Sequence, residues 1–207
     1  MKLTKAIAIR AETLRINLNS TIRRMRICGI LSLVAVAAFA LGCVHAEPLP
    51  LVGRVAPFTL TAENGKEFQS TALTGHPWVA DFVFTHCPGP CPRMTEQMHG
   101  IEGQVRGIPV QFVSFTVDPE HDTPEVLAAY AKQFHADTGR WHFLTGTRDA
   151  LHQIFRFSFK LGSVDGTLIH STRFALVDSQ QQIRGFYSSD DPDQLKKLVR
   201  DLRELAR

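Results

Sequence analysis

From Trp78 to Thr85 the chain reads WVADFVFT, an apolar run interrupted once, at Asp81. A run this apolar and this short predicts a strand buried on both faces. Val110 to Val117 (VQFVSFTV) repeats the pattern and predicts a second central strand. Pro57 to Thr61 alternates, Asn64-Gly65 marks a hairpin turn, and Lys66 to Phe68 reads as the return strand. Helical patterning appears between these strands. Pro92 suits the first turn of a helix over Arg93 to Val105, and Asp122-Thr123-Pro124-Glu125 opens another running through Phe134. Trp141 to Thr145 reads as a short strand, Thr147 to Phe157 as a helix, His170 to Asp178 and Ile183 to Tyr187 as a late hairpin. Asp191 to Ala206 closes the chain as an amphipathic helix.

The order is a hairpin, then β-α-β-α-β-α, then a hairpin and a final helix. It predicts an α/β domain with a central mixed sheet flanked by helices. The junction of the first buried strand and the first helix carries Cys87-Pro88-Gly89-Pro90-Cys91-Pro92. A cysteine pair at that junction is the thioredoxin-like arrangement.

Charge divides the chain. Residues 1–26 hold seven Lys/Arg and one Glu, Ile27 to Val44 runs 18 residues without a charge, and Val44-His45-Ala46 has small residues where a signal is cut. This is the pattern of a secretory signal peptide or a single membrane anchor. Gly42-Cys43 also resembles a lipoprotein cleavage site, and Met25 begins a complete signal of its own. Residues 1–46 are therefore expected as the leader, 47–56 as a linker and 57–207 as the folded domain. The full chain is +3, but without its leader it is −3, with 16 basic and 19 acidic residues. The basic balance is a leader property and argues against a nucleic-acid partner.

Of four cysteines, Cys28 and Cys43 fall in the leader, and Cys87 and Cys91 remain. A disulfide between residues so close in sequence restrains little of the unfolded chain, so a redox or metal role outweighs a structural staple. The helix N-terminus following the loop predicts sulfurs displayed above it and biased toward thiolate. Two thiolates in reach of one ion favour Cu(I) or zinc. Eight histidines lie outside the leader. His86 abuts Cys87 and is expected beside the site, not on the ion. His99 is expected too far along its helix, and His121, His135, His142 and His152 in surface or packing positions. Met94 and Met98, four apart, are expected to face the core. His170 stands apart, because it opens the late strand at the place where thioredoxins carry a proline beside their cysteines.

These residues resemble the Sco/SenC family of membrane-tethered, thioredoxin-like copper proteins that assist cytochrome c oxidase assembly. The resemblance rests on Asp81-Phe82-Val83-Phe84-Thr85, the Cys87-to-Pro92 loop, Val117-Asp118-Pro119-Glu120-His121-Asp122-Thr123-Pro124-Glu125 and Ile169-His170-Ser171-Thr172. It runs from about Pro57 to Arg207. It implies a copper site, Cu(I) and also Cu(II), on Cys87, Cys91 and His170, with Asp118 nearby behind the ligands. It further implies an exported protein on the periplasmic side of the bacterial inner membrane, anchored or secreted. The implied partners are a copper-donor chaperone, and a cytochrome c oxidase subunit or another copper-receiving protein. Copper delivery needs no enzymatic turnover. Two other readings stay open: a thiol-disulfide reductase cycling Cys87 and Cys91 to keep target cysteines reduced, and a copper or redox sensor.

Overall fold

The two apolar runs lie side by side at the centre of one eight-stranded sheet. The computed structural model describes residues 48–160 and 172–207. In chain order the strands are β1 (Gly53–Arg54), β2 (Thr59–Ala62), β3 (Glu67–Gln69), β4 (Trp78–Val83), β5 (Gln111–Thr116), β6 (Trp141–Thr145), β7 (Arg173–Val177) and β8 (Gln182–Ser188). The α-helices are α1 (Pro90–Gln104), α2 (Pro124–Gln133), α3 (Arg148–Gln153) and α4 (Pro192–Leu205), with a 3₁₀ turn at Ser70–Leu73.

The sheet runs β1-β8-β7-β4-β5-β6-β2-β3. β4 pairs parallel with β5, and β5 parallel with β6, while every other pairing is antiparallel. All six residues of β4 are buried, as its composition predicts. This open mixed sheet with helices on both faces is the thioredoxin-like fold that the element order implies. Its N-terminal hairpin is β2–β3 and its late hairpin β7–β8.

Strand alternation divides the core in two. On one face Val79, Phe112, Trp141 and Phe143 pack with Met94 and Met98 of α1, Leu127 and Tyr130 of α2, and Leu198 and Leu202 of α4. The methionine pair is core, as its spacing predicts. On the other face Trp78, Phe82 and Phe115 meet Phe155 and Phe159. Those two phenylalanines belong to Ile154–Phe159, where the helix expected to 157 widens from α3 into a π-helix. The widening brings Phe155 to 4.6 Å and Phe159 to 5.1 Å from the Phe82 ring centre.

Two expectations shift. Within the stretch expected as linker, Gly53–Arg54 pairs with β8, and Val55 is buried. The first helix begins at Pro90, not Arg93, so Cys91 lies in its first turn. Thr123 caps α2, as the Asp122-to-Glu125 motif predicts, its hydroxyl accepting from the Val126 N–H. Residues 1–47, with the expected leader, and 161–171, with His170, lie outside the described residues. Among the described residues no helix is long and apolar enough to cross a membrane.

Asp122, just before the cap, does something larger. It is fully buried, and its carboxylate accepts from the Thr85 N–H at 3.2 and 3.3 Å, from Thr85 Oγ1 at 2.6 Å and from Thr116 Oγ1 at 2.5 Å. It thereby ties the chain leaving β4 to the chain leaving β5. Hydrogen bonds to a buried charge are worth more than neutral ones, and leaving their donors unmet costs more again. Asp122→Ala is expected to destabilise the domain by on the order of 3 kcal/mol in urea unfolding. A change within about 0.5 kcal/mol, ordinary for a surface position, would contradict the clamp.

Candidate metal centre

β4 and β5 run parallel in register, Val83 opposite Thr116, so the loops leaving them emerge together. The first loop carries His86 and Cys87 into α1. The second carries Asp118 to His121 into α2. Parallel strands therefore bring together residues more than thirty positions apart.

Cys87 and Cys91 are both buried thiols, Cys91 completely so. They pack in the apolar cluster that holds Phe82, Phe84, Phe115 and Val117. The two side chains are in hydrogen-bonding contact, so one soft ion or one disulfide bond lies within reach of both. The Cys87 N–H donates to the Phe84 carbonyl at 3.2 Å, holding the loop close to the strand end. The Cys91 carbonyl accepts from Thr95 Oγ1 at 2.9 Å, and Thr95 Oγ1 lies 2.9 Å from the Tyr130 hydroxyl, which joins the first turn of α1 to α2.

The expected bias toward thiolate does not hold at Cys91. Burial pushes its thiol well up; the Phe84 backbone offsets this in part, while Cys87 and the Asp81 carboxylate add to it. The Cys91 side chain is fully enclosed in that apolar cluster. A metal changes that balance, since a coordinated thiol gives up its proton outright. The residues present therefore fit a soft ion, which would be held by two adjacent sulfurs shielded from water.

Asp81, the interruption in the first apolar run, is close enough for its charge to act on Cys91. Alternation puts it on the Val79 face, opposite Ser114 of β5. Neither carboxylate oxygen makes a hydrogen bond of ordinary geometry. Ser114, whose hydroxyl accepts from the Trp141 indole at 2.9 Å, lies close enough to ease the charged form only slightly. Burial raises the Asp81 carboxyl from 3.8 to about 7.

Asp118 lies at the start of the second loop, after β5. It is buried, and its Oδ2 faces two imidazoles: His121 Nδ1 at 2.8 Å and His86 Nε2 at 3.4 Å. The rings lie 5.2 Å apart. The hydrogen bond to Asp118, and then its charge, raise the affinity of His121 for a proton. Among the described residues, His86, Asp118 and His121 form a group whose ligand atoms all lie within 4.8 Å of one another. Neither cysteine belongs to that group. His121, expected on the surface and exposed there, and His86, expected beside the site, are brought together by the parallel pairing of β4 and β5. His170, expected as a ligand, lies outside the described residues.

The SCO1/SenC family model matches residues 52–207. The SCO1 protein homolog of Bacillus subtilis (strain 168) is 30% identical over 164 residues, which span 76% of this chain and 85% of that one. BsSco, a member of the Sco family of cytochrome c oxidase assembly proteins with an identified disulfide switch, is similar with a TM-score of 0.70 at 28% identity. That match covers 78% of this chain and 98% of BsSco. Yeast Sco1 with copper bound matches with a TM-score of 0.62 at 26% identity, over 74% of this chain and 90% of its own.

The Asp81 environment generates a pH prediction. The folded state holds the Asp81 proton more tightly than the unfolded chain does. The stability tied to neutral Asp81 is thus complete below pH 3.8 and lost progressively as pH rises to about 7. The span corresponds to on the order of 4 kcal/mol. Asp81→Asn removes this loss, so between pH 5 and 8 the variant's unfolding free energy is expected to improve on the unsubstituted protein's by about 2 kcal/mol or more. Parallel pH profiles would contradict a buried, titrating carboxyl.

Proposed function

This chain belongs to the SCO1/SenC family, and from that premise we propose that it carries copper to a respiratory cytochrome c oxidase copper site. A copper- and redox-related part in oxidase assembly is what family membership supports; the delivery role and its ligands are the finer reading. Copper is cargo here, taken on Cys87, Cys91 and His170 and released to a copper-receiving protein. The observation that carries this reading is the pair of buried thiols in contact at the head of α1. Yeast Sco1, similar over most of the chain, binds copper, which supports the same cargo.

The chemistry follows from burial. When Cu(I) binds, two Cu–S bonds form and both thiol protons leave for solvent, so loading grows stronger as pH rises. A neutral His170 imidazole completes a three-donor set suited to Cu(I), whereas structural zinc takes four protein ligands. Three donors leave a side open to an incoming ligand of the recipient, which can displace them in turn. The apolar wall of Phe84 and Val117 keeps water from competing with the sulfurs. Export to the periplasmic side of the membrane, through the basic and apolar segment of residues 1–46, puts the cargo where such a recipient would meet it.

A thiol-disulfide reductase is the second reading. The thiol contact that allows one ion to be shared also allows a disulfide, and BsSco has a disulfide switch. In that cycle one thiolate attacks a target disulfide and the other cysteine resolves the mixed disulfide. The target leaves reduced and Cys87–Cys91 oxidised, to be restored by an external dithiol.

Anaerobic titration of the reduced full chain with Cu(I) separates the readings. One equivalent is expected to bind. His170→Ala is expected to weaken binding at least about a hundredfold, beyond the loss from removing a partner behind a ligand, and to abolish oxidase assembly. A stoichiometry well below one sinks the copper reading. Assembly that survives His170→Ala but not Cys87→Ser assigns the reductase instead.

A further inference from the structure

We propose that His86, Asp118 and His121 form a second metal site, for a borderline divalent ion and foremost Cu(II), beside the cysteine loop. The proposal concerns different side chains from the copper-delivery reading and stands independently of it.

Geometry carries the argument. Two ring nitrogens from different loops converge on one carboxylate oxygen, at 2.8 and 3.4 Å, and all three ligand atoms fall within 4.8 Å. Ligands around an ion at about 2.0–2.1 Å are spaced roughly 3.4 Å apart in a tetrahedron, and roughly 2.9 Å (adjacent) or roughly 4 Å (opposite) in the square-planar set Cu(II) prefers. Only small rotations of the two exposed rings are therefore needed to admit an ion. The i,i+3 contact between Asp118 and His121 alone would be an ordinary turn interaction. His86, arriving from the end of β4 onto the same oxygen, makes it more than that.

The backbone beneath the three residues is fixed. The Asp118 N–H donates to Thr116 Oγ1 at 2.9 Å, and the Asp118 carbonyl accepts from the N–H groups of His121 and Asp122. Asp122 in turn holds Thr85, the residue before His86. One clamp thus sets both halves of the site. Asp118 is buried and keeps little water to give up, while His86 and His121 remain exposed to incoming ions and to a water ligand.

The donor set decides the metal class. Two imidazoles and a carboxylate suit Cu(II) and Zn(II) and offer Cu(I) no soft ligand; between the divalent ions, Cu(II) binds more tightly at equal geometry. The neighbouring sulfurs have the opposite preference. Two adjacent sites would then sort copper by oxidation state.

The test uses the full chain carrying Cys87→Ser, Cys91→Ser and His170→Ala, which removes the sulfur-based ligands and their implied partner. Titration with Cu(II), read by competition with a chromophoric chelator and by electron paramagnetic resonance, is expected to find one equivalent with nitrogen couplings from two imidazoles. Adding His121→Ala, or separately His86→Ala, is expected to lower the affinity at least about tenfold and to change those couplings. Both residues are exposed, and circular dichroism checks that the fold persists. His99→Ala, a histidine on α1 outside the cluster, is expected to change neither. Zn(II) is expected to compete for the same equivalent, more weakly. Absence of a bound equivalent, or an affinity and spectrum indifferent to both His86→Ala and His121→Ala, overturns the proposal.

Discussion

A single buried carboxylate, Asp122, holds together the two loops that make up the candidate site. It meets the backbone and hydroxyl of Thr85 and the hydroxyl of Thr116, the residues at which β4 and β5 give way to loops. Both loops carry candidate metal-binding residues, and neither has secondary structure of its own to fix it. With the clamp, the cysteine loop begins from a defined position and the Asp118–His121 turn is set against it. The sheet supplies the position and the carboxylate the rigidity. Buried charge is costly to place, and it is tolerated here because three donors surround it.

The same enclosure explains the state of the thiols. Cys91 enters the first turn of α1, where an exposed sulfur would be drawn toward thiolate, yet its apolar surroundings favour the protonated form. Such a cysteine is slow to react with adventitious oxidants and yields its proton only to a metal or a well-placed partner. Asp81, buried on the neighbouring strand and raised to about 7, adds to this reluctance when ionised. On the proposed copper reading, this geometry protects the thiols before loading.

Much of this was legible from side-chain pattern alone. The composition of WVADFV requires a strand covered on both faces, and the turn residues at Asn64-Gly65 mark a hairpin whatever surrounds them. Met94 and Met98 lie on one helix face, and that face is core. What escaped depends on neighbours distant in sequence. Asp122 stands beside the cap of a proline-started helix, while its carboxylate is drawn to strands on either side. Pro90 suits a helix start as well as Pro92 does, and local preference does not choose between them. Val55 is held because β8 offers an edge to β1, which no property of the expected linker announces. His86 and His121 meet only because β4 and β5 are parallel and in register.

The central claim is that the paired sulfurs at the head of α1, with His170, hold copper. X-ray absorption on the reduced full chain loaded anaerobically with one equivalent of Cu(I) tests it most directly. The account predicts a copper shell of two sulfur scatterers and one imidazole nitrogen, with sulfur lost stepwise on substituting Cys87 and Cys91. A shell containing only nitrogen and oxygen would contradict it.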